Sequence, residues 1–209
     1  MRWLLVAVAA VLVAAGIYVG GAVYWNWFGH ERGAGNVQGS ALSPETVAKR
    51  DADVAAVAGP VAKRILFGDL HVHTTFSTDA FMWALPILGG EGIHPLADAC
   101  DFARYCAQLD FFSATDHAEA ITPLRWLETK RSIRQCNART GNTTSPDLVA
   151  FVGFEWTQVG RTPQDHYGHK NVIFPGLADE EISARAIAAA GVASQALRGS
   201  PVQLSRWIP

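Results

Sequence analysis

The sequence lacks the motifs by which many enzymes bind nucleotides or present a nucleophilic serine. It contains no GxGxxG and no GKS or GKT loop, and none of its serines stands in a GxSxG context. Charged residues are also scarce, at 17% of the 209 residues, and the net charge is −2 without any run of lysine or arginine. These absences argue against a nucleotide-dependent enzyme and a serine hydrolase, and nucleic acid is not an expected partner.

Cysteine is rare as well, and the three cysteines form no CxxC pair of the kind that binds metals through thiolates. Cys100 and Cys106 fall six residues apart on one predicted helix, about 9 Å along its axis, which is beyond the reach of a disulfide. Any disulfide is therefore expected to use Cys136 and to leave one free thiol. Three reduced, buried cysteines are the alternative.

Charge is absent from one long apolar stretch, residues 3–28, which is 26 residues long. As a helix it would rise about 39 Å, enough to cross a hydrocarbon core of about 30 Å. Arg2 precedes it, and its far end carries the aromatic residues typical of a membrane interface: Tyr24, Trp25, Trp27 and Phe28. Residues 1–29 therefore predict an anchor that contacts membrane lipid, with the following residues outside the cytoplasm. A cleaved signal peptide is the alternative.

The remainder divides into a linking segment, residues 30–62, and a domain, residues 63–209. The segment begins with a Gly/Ala/Asn/Ser-rich stretch typical of a flexible tether, and Ser43 before Pro44 predicts a short helix over 44–57. In the domain, apolar strand-like runs alternate with helical patterns, which predicts an α/β fold with a mainly parallel sheet or barrel. The predicted strands are 65–70, 110–115, 148–154 and 170–174, and the predicted helices are 95–109, 123–138 and 182–197.

Histidine and carboxylate residues stand at the ends of these predicted strands. Asp69, His71 and His73 follow the first, Asp116 and His117 the second, Glu155 the third, and His169 begins the fourth. The carboxyl ends of parallel strands meet at one edge of a sheet, where active sites are built. Alternate residues of an extended chain point the same way, so His71 and His73 would aim both rings at one ion, with Asp69 in phase to accept a ring N–H.

Ligands of this kind, without thiolates, predict Zn, Mn or Fe, and bridging carboxylates allow two or more ions. His166 lies three residues before His169 and is a second candidate. We assign His169 to the metal and His166 to the substrate side. Asp116 and His166 are the candidate proton handlers, and the glycine-rich residues 89–92 predict a mobile loop near the site.

Taken together, these residues resemble the PHP (polymerase and histidinol phosphatase) superfamily of metal-dependent phosphoesterases. The similarity lies in the runs ILFGDLHVHTTFSTDAF, ATDHAE, GFEWT and HKNVIF, over about residues 63–175. More narrowly, the runs are similar to an exported branch, domain of unknown function 3604. The resemblance implies a distorted (β/α)7 barrel whose strand ends hold two or three divalent ions.

The resemblance also implies a ligand set: His71, His73, Asp79, His117, Glu155 and His169. Asp79 stands where some members have histidine. His117 would bind a second ion, and Glu155 would bridge the ions. The family has further ligands in a later histidine motif and a final DxH, whereas no histidine follows His169. About 150 residues follow the tether, against roughly 250 in a complete barrel. We therefore expect a partial barrel that belongs to a longer protein.

The expected function is a membrane-anchored, extracytoplasmic hydrolase in which metal-activated water cleaves a phosphoester or related ester. Two alternatives stay open. An amidohydrolase-type barrel also begins with HxH, but it often places a bridging lysine late on its fourth strand, whereas Lys170 begins the predicted fourth strand here. A non-catalytic binding protein on a decayed metallohydrolase fold would account for the missing ligands.

Overall fold

The computed structural model describes residues 2–24, 33–59, 65–84, 94–160 and 162–190. The first helix, α1, spans Arg2–Tyr24, and its stretch Arg2–Gly21 is long and apolar enough to cross a membrane, with none of it buried by the rest of the chain. The predicted N-terminal apolar helix is confirmed. Residues 25–28, with most of the aromatic side chains predicted at the membrane interface, lie outside the described residues. The glycine-rich residues 89–92, predicted to form a mobile loop, lie outside them as well.

Four strands form one sheet in the order β1-β2-β3-β4: Gly68–Val72, Phe111–Ala114, Val149–Gln158 and Gly168–Phe174. The first three strands are parallel, as predicted, but β4 is antiparallel to β3. The prediction of a mainly parallel sheet is therefore confirmed, with β4 as the antiparallel exception. β3 continues to Gln158, so only residues 159–167 connect it to β4, whereas a parallel crossover needs about a dozen residues or more.

The sheet is curled. β1 and β4 are its two edge strands, yet the side chain of Asn171 on β4 donates to the backbone oxygen of Leu70 on β1 at 2.9 Å. The two edges can approach each other only if the sheet bends into an open half-barrel. The α/β class is therefore confirmed, while the seven-stranded barrel is not seen, because the described residues contribute four strands.

Helices cover the convex face of the half-barrel. The helix α4, Leu96–Asp101, continues into a π-helical turn at Phe102–Cys106, and α5 spans Pro123–Ala138. On α5, Trp126 is 2% exposed and its ring packs edge-on against Phe154 of β3. α5 matches its predicted bounds, since Thr122 caps its first turn by accepting from the backbone N–H of Arg125.

The predicted helix over 182–197 is wrong for residues 182–190, which are irregular. The indole of Trp126 donates to the backbone oxygen of Ser183 at 2.9 Å, and the Ser183 hydroxyl donates to the backbone oxygen of Arg185 at 2.7 Å. These bonds occupy carbonyl groups that a helix would use. Burial of Ile182 and Ala189 further ties the segment to the core, so tertiary contacts override its alanine-rich helix propensity.

The segment over residues 33–43, which precedes the helix α2 at Pro44–Ala58, is docked on the domain. Asp101 accepts hydrogen bonds from the backbone N–H groups of Gln38 at 2.9 Å and Gly39 at 3.2 Å, and Val37 is 3% exposed. The expectation of a flexible tether therefore does not hold over residues 33–43. The helix α2 itself, Pro44–Ala58, is confirmed to begin after the Ser43 cap.

A disulfide joins α4 to α5. It links Cys100 to Cys136 with a Cα–Cα distance of 6.0 Å, and Cys106 is free and exposed. The prediction that a disulfide must use Cys136 is confirmed. Beside it, the fully buried Arg104 donates to the carboxylate of Asp147 and to the backbone oxygen of Cys136, both at 3.0 Å.

Candidate metal centre

The first ligand pair lies at the carboxyl end of β1. His71 and His73 extend from the same strand end, their Nε2 atoms are 2.9 Å apart and their rings are stacked. The pairing of β1 with β2 is irregular between Asp69 and Val72. Asp69 accepts from the backbone N–H of His71 at 2.8 Å, so its expected bond to a ring N–H is not seen.

The carboxylate of Glu155 stands at the centre of the site. Its side chain is 1% exposed, and its Oε2 atom lies 2.9 Å from His73 Nε2 and 3.4 Å from both His71 Nε2 and His117 Nδ1. Its other oxygen, Oε1, contacts Nδ1 of His169. Four imidazoles therefore converge on one buried carboxylate, an arrangement that a dication between them would satisfy.

His117 is placed beside Glu155 by the backbone. Beyond the end of β2, Asp116 O accepts from Glu155 N at 3.0 Å and Ala118 N donates to Glu155 O at 2.9 Å, so the pairing with β3 continues through His117. Ser77 Oγ accepts from the His117 backbone N–H at 2.9 Å. This bond ties the end of β2 to the loop that leads into α3, Thr78–Trp83.

Asp79, in the first turn of α3, completes the cluster. Its Oδ2 atom lies 3.1 Å from His117 Nε2 and its Oδ1 atom 3.6 Å from His73 Nδ1. Hydrogen bonds from His117 and then His73 hold the pKa of Asp79 far below its usual range. Burial lowers the pKa of His117, but the Asp79 hydrogen bond and the charge of Glu155 outweigh it, so this pKa lies above its usual value.

His169 reaches the cluster because β4 is antiparallel. The first residues of a parallel strand would lie at the opposite edge of the sheet, whereas here His169 pairs with Thr157 near the end of β3. Gly168 begins β4 with a φ of 70°, in the left-handed region that glycine tolerates. Tyr167 N donates to Gln158 O at 3.0 Å and closes the connection.

The described residues contain three overlapping groups whose ligand atoms lie within 4.8 Å of one another and that could hold a metal ion. The structure thus brings together all six predicted ligands. Nitrogen and carboxylate donors without thiolate suit Zn, Mn or Fe. The groups are His71, His73 and Glu155; His73, Asp79 and His117; and His117, Glu155 and His169.

The two candidate proton handlers lie outside these groups. Asp116 is 1% exposed, and its carboxylate accepts from the backbone N–H of Thr74 at 2.6 Å and from the Thr74 hydroxyl at 2.9 Å. Burial raises the pKa of Asp116 above its usual value, against the hydrogen bonds from Thr74. His166 is exposed, with Nδ1 3.4 Å from the backbone oxygen of Gly160, and its role on the substrate side stays a prediction.

We expect Asp116→Ala to destabilise the metal-free chain by about 1–3 kcal/mol, because it would leave the buried donors of Thr74 without an acceptor. Urea unfolding in detergent micelles measures this change. Asp53→Ala is the control, since Asp53 forms an exposed ion pair with Lys49 in the preceding turn of the same helix. An unchanged unfolding free energy together with lost turnover would instead support Asp116 as a proton handler.

Two residues at the site were missed in the sequence. Thr157 is 2% exposed, and its hydroxyl lies 2.9 Å from His117 Nδ1 and 3.3 Å from His169 Nδ1. Its position two residues after Glu155 could have indicated it, since both face the same side of a strand. Ser77 stands in a run that carries the resemblance but was assigned no role, because its bond to His117 depends on how the loop folds.

Comparison with known proteins leaves the family open, because no family model, no curated protein and no solved structure matches this chain.

Proposed function

We propose that the chain carries the metal centre of a membrane-anchored, extracytoplasmic hydrolase of the PHP type that acts on phosphoesters. The convergence of four histidines on buried Glu155 is the observation that carries this proposal. A bound dication would lower the pKa of coordinated water to about 7, which supplies a nucleophile at neutral pH.

The two oxygens of Glu155 suggest how two ions would be held. Oε2 lies with the Nε2 atoms of His71 and His73, whereas Oε1 contacts His169 on the other side of the carboxylate. Glu155 would then bridge two ions, one held with His71 and His73 and the other with His169. A shared carboxylate keeps both positions close enough to act on one substrate.

The charge of the ligand set favours an anionic substrate. Its members are four imidazoles, which bind metals in their neutral form, and two carboxylates, Asp79 and Glu155. Two dications would leave a net charge of about +2 at the centre. A phosphoester gains more from that charge than a neutral amide or lactone does.

Amidohydrolase-type barrels often place a bridging lysine at the centre, and the position of Lys170 argues against that role here. At the start of a parallel fourth strand, Lys170 would lie at the opposite edge of the sheet from the other strand ends, whereas the antiparallel β4 brings it to the same edge. Lys170 pairs with Trp156, while His169 and Asn171 occupy the alternate positions. Successive residues of a strand point to opposite faces, so Lys170 does not share the face of the cluster.

The decisive experiment measures bound metal in the purified full chain by mass spectrometry, for the wild type and for His71→Ala/His73→Ala. We expect the wild type to retain metal and the double variant to lose most of it, and equal contents would refute the metal centre. A panel of phosphoesters, amides and lactones then separates the enzyme classes. Bound metal without turnover on any of these would favour a binding protein.

Metal binding should weaken at low pH. A protonated imidazole has no free lone pair for an ion, and the raised pKa of His117 means that protons begin to compete above the usual value of 6.5. We expect the zinc affinity at pH 6 to be at least roughly tenfold below that at pH 8, as measured by competition with a chelator. An affinity independent of pH would indicate that the histidines do not bind the ion.

Two features support an extracytoplasmic location. The helix α1 could serve as an anchor or as a signal sequence, and disulfides such as Cys100–Cys136 persist in oxidising compartments. A C-terminal alkaline phosphatase fusion should be active and remain in washed membranes. A soluble product smaller by about 2–3 kDa would show that the segment is cleaved, and a fluorescent fusion active in the cytoplasm would refute export.

A further inference from the structure

His117 belongs to two of the three ligand groups, through different ring nitrogens. Its Nε2 atom faces Asp79 Oδ2 at 3.1 Å, whereas its Nδ1 atom faces Glu155 Oε2 at 3.4 Å. A neutral imidazole binds an ion through one nitrogen because the other carries the proton, and the hydrogen bond to that proton decides which nitrogen is free. His117 can therefore serve one of these two groups at a time.

Thr157 contacts one of the two nitrogens. Its hydroxyl oxygen lies 2.9 Å from His117 Nδ1, closer than the nearest oxygen of Glu155 at 3.4 Å. A hydroxyl has two acceptor lone pairs and one donor hydrogen, so it can accept from a protonated Nδ1. Thr157 is 2% exposed, and its β-branched side chain has restricted rotamers, which fixes the oxygen at this position.

We propose that Thr157 is a positioning residue that engages Nδ1 of His117 and so commits Nε2 of this histidine to the ion held with Asp79. The inference rests on the proposed metal centre. In the ion-bound state Nδ1 would carry the proton and donate a hydrogen bond to Thr157, which leaves the Nε2 lone pair free for the ion held with Asp79. Glu155 and His169 would then bind their ion without Nδ1 of His117. The Thr157 oxygen also lies 3.3 Å from His169 Nδ1, so it contacts both rings.

The test compares Thr157→Val, which keeps the shape but removes the hydroxyl, with Thr157→Ser, which keeps the hydroxyl. Thr129→Val is the matched control, because Thr129 is 1% exposed and its hydroxyl donates to the backbone oxygen of Arg125 within α5. We expect Thr157→Val to lose zinc affinity by about 10- to 100-fold, as for other groups that orient a ligand. Thr157→Ser and Thr129→Val should stay close to the wild type.

A second measurement identifies the coordinating atom directly. Long-range proton–nitrogen NMR of the zinc-loaded full chain in detergent micelles reports which nitrogen of His117 binds zinc and which carries a proton. We expect zinc on Nε2 and a proton on Nδ1 in the wild type and in Thr157→Ser. In Thr157→Val, this single state should be lost.

Three outcomes would overturn the inference. Zinc on Nδ1 of His117 in the wild type contradicts it directly. Unchanged affinity in Thr157→Val, or equal losses in Thr157→Val and Thr157→Ser, shows that the hydroxyl does not position the ring. A wild-type chain that binds none of zinc, manganese and iron overturns the proposed metal centre and this inference together, which distinguishes that failure from the others.

Discussion

Glu155→Gln is expected to lower the affinity of the chain for zinc by at least about 100-fold, the upper range seen when groups that support a ligand are removed. Glu155 belongs to two of the three ligand groups and contacts four histidines. Glutamine keeps the size of the side chain but removes its charge and leaves one oxygen in place of two. The side chain can then no longer bridge two ions.

Glu128→Gln is the control, because Glu128 is a half-buried glutamate on α5 that belongs to none of the ligand groups found among the described residues. Asp79→Asn should have a smaller effect than Glu155→Gln, since Asp79 belongs to one group. Chelator competition measures the affinities, and circular dichroism verifies that each variant is folded. Equal zinc binding by wild type and Glu155→Gln would remove Glu155 from the centre.

The double substitution Cys100→Ala/Cys136→Ala is expected to lower the free energy of unfolding by about 4 kcal/mol. The two cysteines are 36 positions apart in sequence, and in the chain-entropy model a loop of this size restricts the unfolded chain by roughly that amount. The bond also holds α4 against α5 around buried Arg104, so its loss should loosen the packing on the convex face.

Cys106→Ala provides the control for this prediction, since Cys106 is free and exposed and its substitution should change the unfolding free energy by less than about 0.5 kcal/mol. Guanidinium unfolding in micelles, followed by near-ultraviolet circular dichroism, measures both variants. Reduction of the wild type should reproduce the double variant. Wild-type stability in the double variant would mean that the bond contributes nothing to the fold.

Local signals in the sequence were sufficient for several elements. The helix α2 was predicted nearly to the residue from the capping hydroxyl of Ser43 before proline, and α5 from its helical pattern over 123–138. The polar residues after each apolar run were predicted to meet because parallel strands end at one edge. Both signals depend on residues that are close together in the chain.

What only the tertiary structure decided depends on residues that are distant in sequence. The direction of β4 follows from how far β3 continues, and it brings His169 to the same edge as His73. The docking of residues 33–43 and the irregular path of 182–190 depend on acceptors and donors elsewhere, on Asp101 and Trp126. Composition predicts a tether and a helix there, because a sequence pattern reports local conformational preference but not the partner that outweighs it.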